Sequence, residues 1–236
     1  MAEKKERKMV ATENAGKAVK RTTKEERREK AVGKRIAAVV FWLLAIAMEV
    51  LFILFLNKTI YIPVLADKQM IVLIALLVLD LIFVIIGSQF WKRANDVDPA
   101  SEKNKVKFFL WNQMGLIVAV LAFCPLIIVL LKNKELDKKT KKVVTAVAVV
   151  AMVIAGACGI DFHPMSEEDR IALEESVTAE VYYTSFGKKY HTHEDCQAIS
   201  NSATVYHGPI SDALDAGRTE KCKFCAKADG DIAVDN

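Results

Sequence analysis

Three of the five cysteines and three of the four histidines of this 236-residue chain fall between Tyr190 and Cys225. The run His191-Thr192-His193-Glu194-Asp195-Cys196 is followed, about two dozen residues on, by Cys222-Lys223-Phe224-Cys225. Imidazole and thiolate arranged as a pair, a gap and a C-x-x-C knuckle form a four-coordinate zinc site. The two residues inside the knuckle let Cys222 and Cys225 reach one ion from a tight turn, and Cys196 supplies a third sulfur. His191 is the expected fourth ligand. His193 is its rival if the 192–195 loop curls back, and His207 is a more distant choice. The competing reading of the same residues is a Cys222–Cys225 disulfide or three idle thiols.

The elements that must position these groups are short. Val181-Tyr182-Tyr183-Thr184 has strand composition, Ser185-Phe186-Gly187-Lys188 a turn, and Lys189-Tyr190-His191 begins a return strand. Thr204-Val205-Tyr206 is a third strand candidate. Ser211 is expected to cap a helix over 212–216, closed by Gly217. The expected domain, 180–228, has about 50 residues and buries too little surface to be secure alone, so a structural metal would supply what its core lacks. Residues 229–236 read as a disordered tail. Upstream, Ser166-Glu167-Glu168-Asp169 has capping-box form and opens a short polar helix to about Ala179, read with 161–179 as a spacer.

The rest of the chain is of another kind. Residues 1–35 carry thirteen Lys/Arg against six Glu, whereas 161–236 carry fifteen Asp/Glu against seven Lys/Arg. Between them, 36–160 hold four apolar runs: Ile36–Leu56, Met70–Ile86, Phe108–Leu131 and Val143–Ile160. A helix needs roughly 20 apolar residues to cross a bilayer, and backbone groups in lipid must bond within the segment, so all four read as spans. Trp42, Trp91 and Trp111 lie toward span ends, where aromatic belts sit. The fold class expected is an α-helical membrane protein of four transmembrane helices with a small α+β zinc-binding C-terminal domain.

Thirty-five polar residues precede the first span, which is unlike a cleavable signal. The basic tail is expected to be a cytoplasmic, solvated helix; anionic lipid headgroups are its alternative partner. Lys/Arg counts of thirteen in the tail, two in 57–69, five in 87–107 and six in 132–142 put the tail inside. Four crossings then place the zinc domain inside as well, at the cost of leaving the six lysines of 132–142 outside. If Phe108–Leu131 re-entered without crossing, the domain would lie outside instead.

Glu49 and Asp80 fall within spans, where carboxylates are costly. They read either as a proton or ion relay of a small transporter, with Asn112 or Gln113 as partner, or as interior groups that hold helices together. Cys124 and Cys158 read as small packing residues.

The string Val181-Tyr182-Tyr183-Thr184, Gly187-Lys188-Lys189-Tyr190-His191, Cys196, Ala213, Ala216-Gly217, Cys222-Lys223-Phe224-Cys225 resembles the metal-binding domain family of the Ada DNA-repair protein. That resemblance, over 181–226, implies a compact β-rich fold with a helix and one zinc. In Ada, four cysteines hold the metal and a zinc-bound thiolate accepts a methyl group from DNA phosphate. Here His191 stands where Ada has its first cysteine. Relatives of the His form include bacterial membrane-attached proteins of uncharacterised role.

Three functions compete. A non-enzymatic zinc-stabilised module displayed at the membrane, acting in binding, scaffolding or sensing of an unidentified partner, predicts a closed set of four protein ligands. A thiol-based enzyme or alkyl acceptor at Cys196, Cys222 or Cys225 is the second, although the acidic C-terminal zone repels DNA. A small transporter using Glu49 and Asp80 is the third.

Overall fold

The computed structural model describes residues 7–17, 21–60 and 68–231, so the expected tail beyond Asp231 lies outside the described residues. These fall into two compact units.

One unit, Val32–Ala94 with Lys103–His163, is helical. Its elements are α1 (Lys24–Leu56, whose first two turns belong to the other unit), α2 (Gln69–Val97), α3 (Lys105–Asn112), α4 (Met114–Lys132) and α5 (Lys138–Gly159). Four of these, α1, α2, α4 and α5, are long and apolar enough to cross a membrane. Their buried residues recur at helical spacing: Leu73, Leu77 and Val84 on α2; Ala119, Phe123, Leu126 and Leu130 on α4; Val144, Ala148, Ala151 and Ala155 on α5. At one end of the α4–α5 contact, a Cβ built on Gly159 would lie 2.6 Å from the Gly115 backbone. Only the missing side chains let the two backbones approach so closely.

The run Phe108–Leu131, expected as one helix, is two. The break falls at Gln113, whose side-chain amide donates to the Asp161 carbonyl at 2.8 Å while the Asp161 N–H donates back at 3.3 Å. Asn104 caps α3, its side chain accepting from the Lys107 N–H. The membrane-length part is therefore Met114–Lys132 alone. The three tryptophans form one stack, Trp42 on Trp91 at 5.3 Å and Trp91 on Trp111 at 5.0 Å, with the Arg35 guanidinium over Trp111.

The second unit comprises residues up to Ala31, Asn95–Glu102 and residues from Pro164 onward. It contains β1 (Lys8–Ala11), α6 (Glu167–Ser176), β2 (Val181–Tyr183), β3 (Lys189–Tyr190), β4 (Thr204–Gly208), α7 (Ile210–Asp215), β5 (Glu220–Lys221) and α8 (Lys223–Ala228). One sheet has the order β1-β4-β2, β1 running parallel to β4 with Met9 opposite Val205, and β2 antiparallel with Tyr182 opposite His207. The other pairs β3 with β5 in parallel. The expected 181–191 hairpin survives only as a single Tyr182–His191 bridge, because β2 finds its ladder on β4 and β3 on β5.

The basic segment is not simply a solvated helix. Lys8–Ala11 is a strand, extended at both ends by hydrogen bonds from Lys8 N–H to the Ala203 carbonyl and from Thr12 N–H to the His207 carbonyl. Helix begins only at Lys24. The capping box at Ser166 and Asp169 is present. Pro209, not Ser211, precedes α7, which starts two residues earlier than expected; Gly217 adopts φ +75° just beyond its end, a conformation glycine reaches without Cβ strain.

Opposite charges hold this unit together. Arg170, fully buried on α6, donates to Glu174 at 2.9 Å, to Asp215 at 2.7 Å and to the Asp96 carbonyl at 2.7 Å. Glu174 also accepts from the Thr22 N–H and hydroxyl; Arg27 pairs with Glu167 at 2.9 Å and Lys30 with Asp215 at 2.9 Å. Removing one partner of a buried pair strands the other. Arg170→Ala should therefore destabilise this unit by about 3–5 kcal/mol, the cost of leaving a buried charge uncompensated. Denaturant unfolding of the full chain in detergent, followed by limited proteolysis after Arg21 and Arg27, checks it.

Candidate metal centre

Each ligand atom of the centre comes from a different local device. His191 follows β3 and is fixed by two backbone bonds across the Tyr182 bridge, at 2.8 and 2.7 Å. Cys196 stands at the start of a 3-10 turn, Gln197–Ile199, so the chain folds back immediately after it. Cys222 leaves β5 with its N–H donating to the Tyr190 carbonyl at 2.9 Å, and caps α8 from outside. Cys225 sits one turn into α8, and the Cys222 carbonyl accepts from the Ala226 N–H. The pairing of β3 with β5 thus brings the histidine and the knuckle side by side.

The donor atoms of His191, Cys196, Cys222 and Cys225 all lie within 4.8 Å of one another, and all four residues are buried. His191 Nδ1 is 3.3 Å from Cys196 Sγ and 3.9 Å from Cys225 Sγ; Cys196 Sγ is 3.9 Å from Cys222 Sγ. A tetrahedral zinc with sulfur and nitrogen ligands has ligand–ligand edges of roughly 3.5–3.8 Å, so the three contacts come within a few tenths of an ångström of those such an ion needs. The group could hold a metal ion such as zinc.

Burial sets the chemistry of the bare donors. It pushes the Cys196 thiol up to about 12, reinforced by the Cys225 and Cys222 sulfurs and opposed by the Ala198 N–H. It pushes the His191 imidazole down. Without a cation both groups are neutral, and a bound divalent ion would convert thiols to thiolates with release of protons. Val205 and Ile199 close the cluster from the domain, and Met9 of β1 packs against it. Met9 is a contributor the sequence reading missed; only the short apolar run Met9-Val10-Ala11 in an otherwise basic segment hinted at a strand.

The alternatives to His191 are occupied elsewhere. His193 Nε2 lies 2.7 Å from Asp229, which also accepts from Thr192 and pairs with Lys221; Lys221 foremost, with these neighbours, holds the Asp229 carboxyl well below its usual range. His207 Nδ1 meets Glu180 at 3.0 Å, and that contact lowers the Glu180 carboxyl. Cys124 lies 3.7 Å from the Met152 sulfur and, with Cys158, belongs to the helical unit. A depression of about 200 Å³, lined by His193, Asp195, Cys196, Gln197, Phe224 and Cys225, opens beside two of the sulfurs.

No family model, no curated protein and no solved structure matches this chain, so the likeness to the Ada metal-binding domain rests on its motif alone. The donor set itself is testable. Cobalt(II) titration of the full chain should give one tetrahedral thiolate site that persists in His193→Ala and disappears in His191→Ala and Cys225→Ser. Retention of the thiolate absorption in His191→Ala would remove the histidine from the set.

Proposed function

We propose that the chain is a multi-pass membrane protein that displays a zinc-stabilised cytoplasmic module, built from its own tail and C-terminal domain, for binding, scaffolding or sensing. The observation that carries this reading is the closed donor set: four buried protein ligands from one histidine and three cysteines, the composition of structural rather than catalytic zinc. Among the described residues no carboxylate, hydroxyl or second imidazole completes a nucleophile–base pair with the sulfurs; His193 and Asp229 are engaged with each other. An alkyl acceptor for DNA is less well supported. The tail's Arg7, Arg21, Lys24, Arg27 and Lys30 pair with Glu194, Glu175, Glu167 and Asp215 of the acidic zone, which draws them away from phosphates, whether of nucleic acid or of lipid headgroups.

The same contacts bear on topology. A strand from residues 8–11 can lie on β4 only if tail and C-terminal domain share one side of the membrane, which requires an even number of crossings. Four membrane-length helices provide it. The thirteen Lys/Arg of the tail then favour the cytoplasmic side for both. This arrangement accepts the lysine-rich 132–142 loop on the outer face.

Two measurements test the reading. Protease protection in spheroplasts, with tags at both termini, should leave both ends intact until the membrane is permeabilised, while the 133–137 loop is cut from outside. Opposite fates for the two ends would break the β1–β4 pairing. Metal analysis of the full chain purified in detergent should give about one zinc per chain, lost together with protease resistance of 164–231 in Cys222→Ser.

A further inference from the structure

The four apolar stretches 36–56, 70–91, 114–131 and 143–159 contain very few titratable groups: Glu49 on α1, Asp80 on α2, Cys124 on α4 and Cys158 on α5. None contains Lys, Arg or His. Asp80 is 1% exposed, and neither of its carboxylate oxygens has a hydrogen-bond partner. It lies on the stripe of Leu73, Leu77 and Val84 that faces the helical core. A group that merely joined helices would show a donor at one of those oxygens.

The packing of α1 on α2 says what does face it. A Cβ on Gly87 would touch the Trp42 ring at 2.6 Å, and Phe41 lies against both Phe83 and Phe90. Trp42 is therefore level with Gly87, and as successive membrane crossings the two helices run antiparallel. Seven residues further along each places Glu49 opposite Asp80, about 10 Å beyond the tryptophan stack at ~1.5 Å per residue. Glu49 is itself half-buried. From α4, Cys124 is engaged with the Met152 sulfur of α5; Cys158 lies at the far end of α5, by Gly159 and Gly115.

An ionised carboxylate with neither cation nor donor is far costlier than a neutral carboxyl in the same place. A metal ion would need further oxygen ligands within coordination distance, and Asp80 has no polar neighbour even at hydrogen-bond distance. A proton needs none. We propose that Asp80 is a proton-binding site within the membrane-length helices that exchanges its proton with water by way of Glu49. In the exchange step the Asp80 O–H bond breaks as its proton passes to an intervening water molecule, which gives up a proton of its own to form an O–H bond on the Glu49 carboxylate; Asp80 becomes the carboxylate, Glu49 the acid, and the water is regenerated. Return of a proton reverses both.

The inference rests on these helices spanning a bilayer, which the protease-protection pattern tests separately. Infrared spectroscopy of the full chain in liposomes reads the site directly, through the carbonyl stretch of a protonated carboxyl. At neutral pH the wild type should show this band, and heavy water should shift it. Asp80→Asn, a neutral isostere, should abolish the band with helical circular dichroism intact. Glu49→Gln should keep it but slow the isotope shift at least about tenfold, the low end for loss of a positioned acid–base group. If Asp80→Asn fails to fold, isotope-labelled aspartate in the wild-type chain must move the band instead. Absence of the band, its survival in Asp80→Asn, its insensitivity to heavy water, or unchanged exchange in Glu49→Gln would each overturn the proposal.

Discussion

Strand β1 is four residues long, yet the C-terminal unit is organised around it. By lying on β4 it covers the edge of that strand which β2 leaves free, and its Met9 packs onto the cysteine cluster. Its flanks carry the cations that meet the acids of 167–215, so a basic tail and an acidic domain, each self-repelling alone, become complementary when folded together. The buried Arg170 shows how far this goes. Its guanidinium is satisfied by Glu174, Asp215 and the Asp96 carbonyl, and Glu174 is completed by Thr22 from the tail. A fragment beginning after the last membrane-length helix would lack β1, Met9 and Thr22, and would leave Glu174 with Arg170 but without its two Thr22 donors.

The metal centre answers a related shortage. The apolar core under α6 and α7 consists of few residues, Val181, Tyr183, Tyr190, Ile210, Ala213 and Leu214. The cysteine cluster is a second, separate core containing little besides Ile199 and Val205. A region of this size has no spare hydrophobic burial, and a bound ion joining a strand end, a 3-10 turn and a helix N-terminus would fix three loops at once. This explains why the donors are drawn from elements that the sheet alone holds loosely: β3 and β5 are only two residues each.

Local signals were legible and distant ones were not. The capping box at Ser166, the glycine stop at Gly217 and the four donors of the centre follow from residue type and short spacing, and the structure brings those four donors together. Span lengths are likewise a property of composition. The strand partners depend on contacts nearly two hundred residues apart, as between Lys8 and Thr204, which no local pattern encodes. The break at Gln113 depends on Asp161, and the start of α7 on Pro209, whose fixed φ serves as well as a hydroxyl cap. That His191 and not His193 lies with the three sulfurs goes with a contact of His193 to Asp229, a residue outside the motif.

Much of the helical unit's side-chain hydrogen bonding is made near its helix ends, and Asp80 stands apart from it. Ser88 returns its hydroxyl to the Val84 carbonyl. Gln89 and Lys92 donate to the Cys158 carbonyl, and Lys92 also to that of Ile160, where α5 ends. At the opposite end Lys141 donates to the carbonyls of Leu131 and Asn133, while Asp137 and Asn133 accept from exposed amides of the turn. Long side chains thus reach carbonyls at helix ends, where a water-free environment would leave them unpaired. Asp80 sits two turns beyond Ser88, among the same helices, with nothing donated to it. In a unit that supplies donors to its terminal carbonyls, a side chain with two unmet acceptors is best understood as one whose partner is the proton it carries itself.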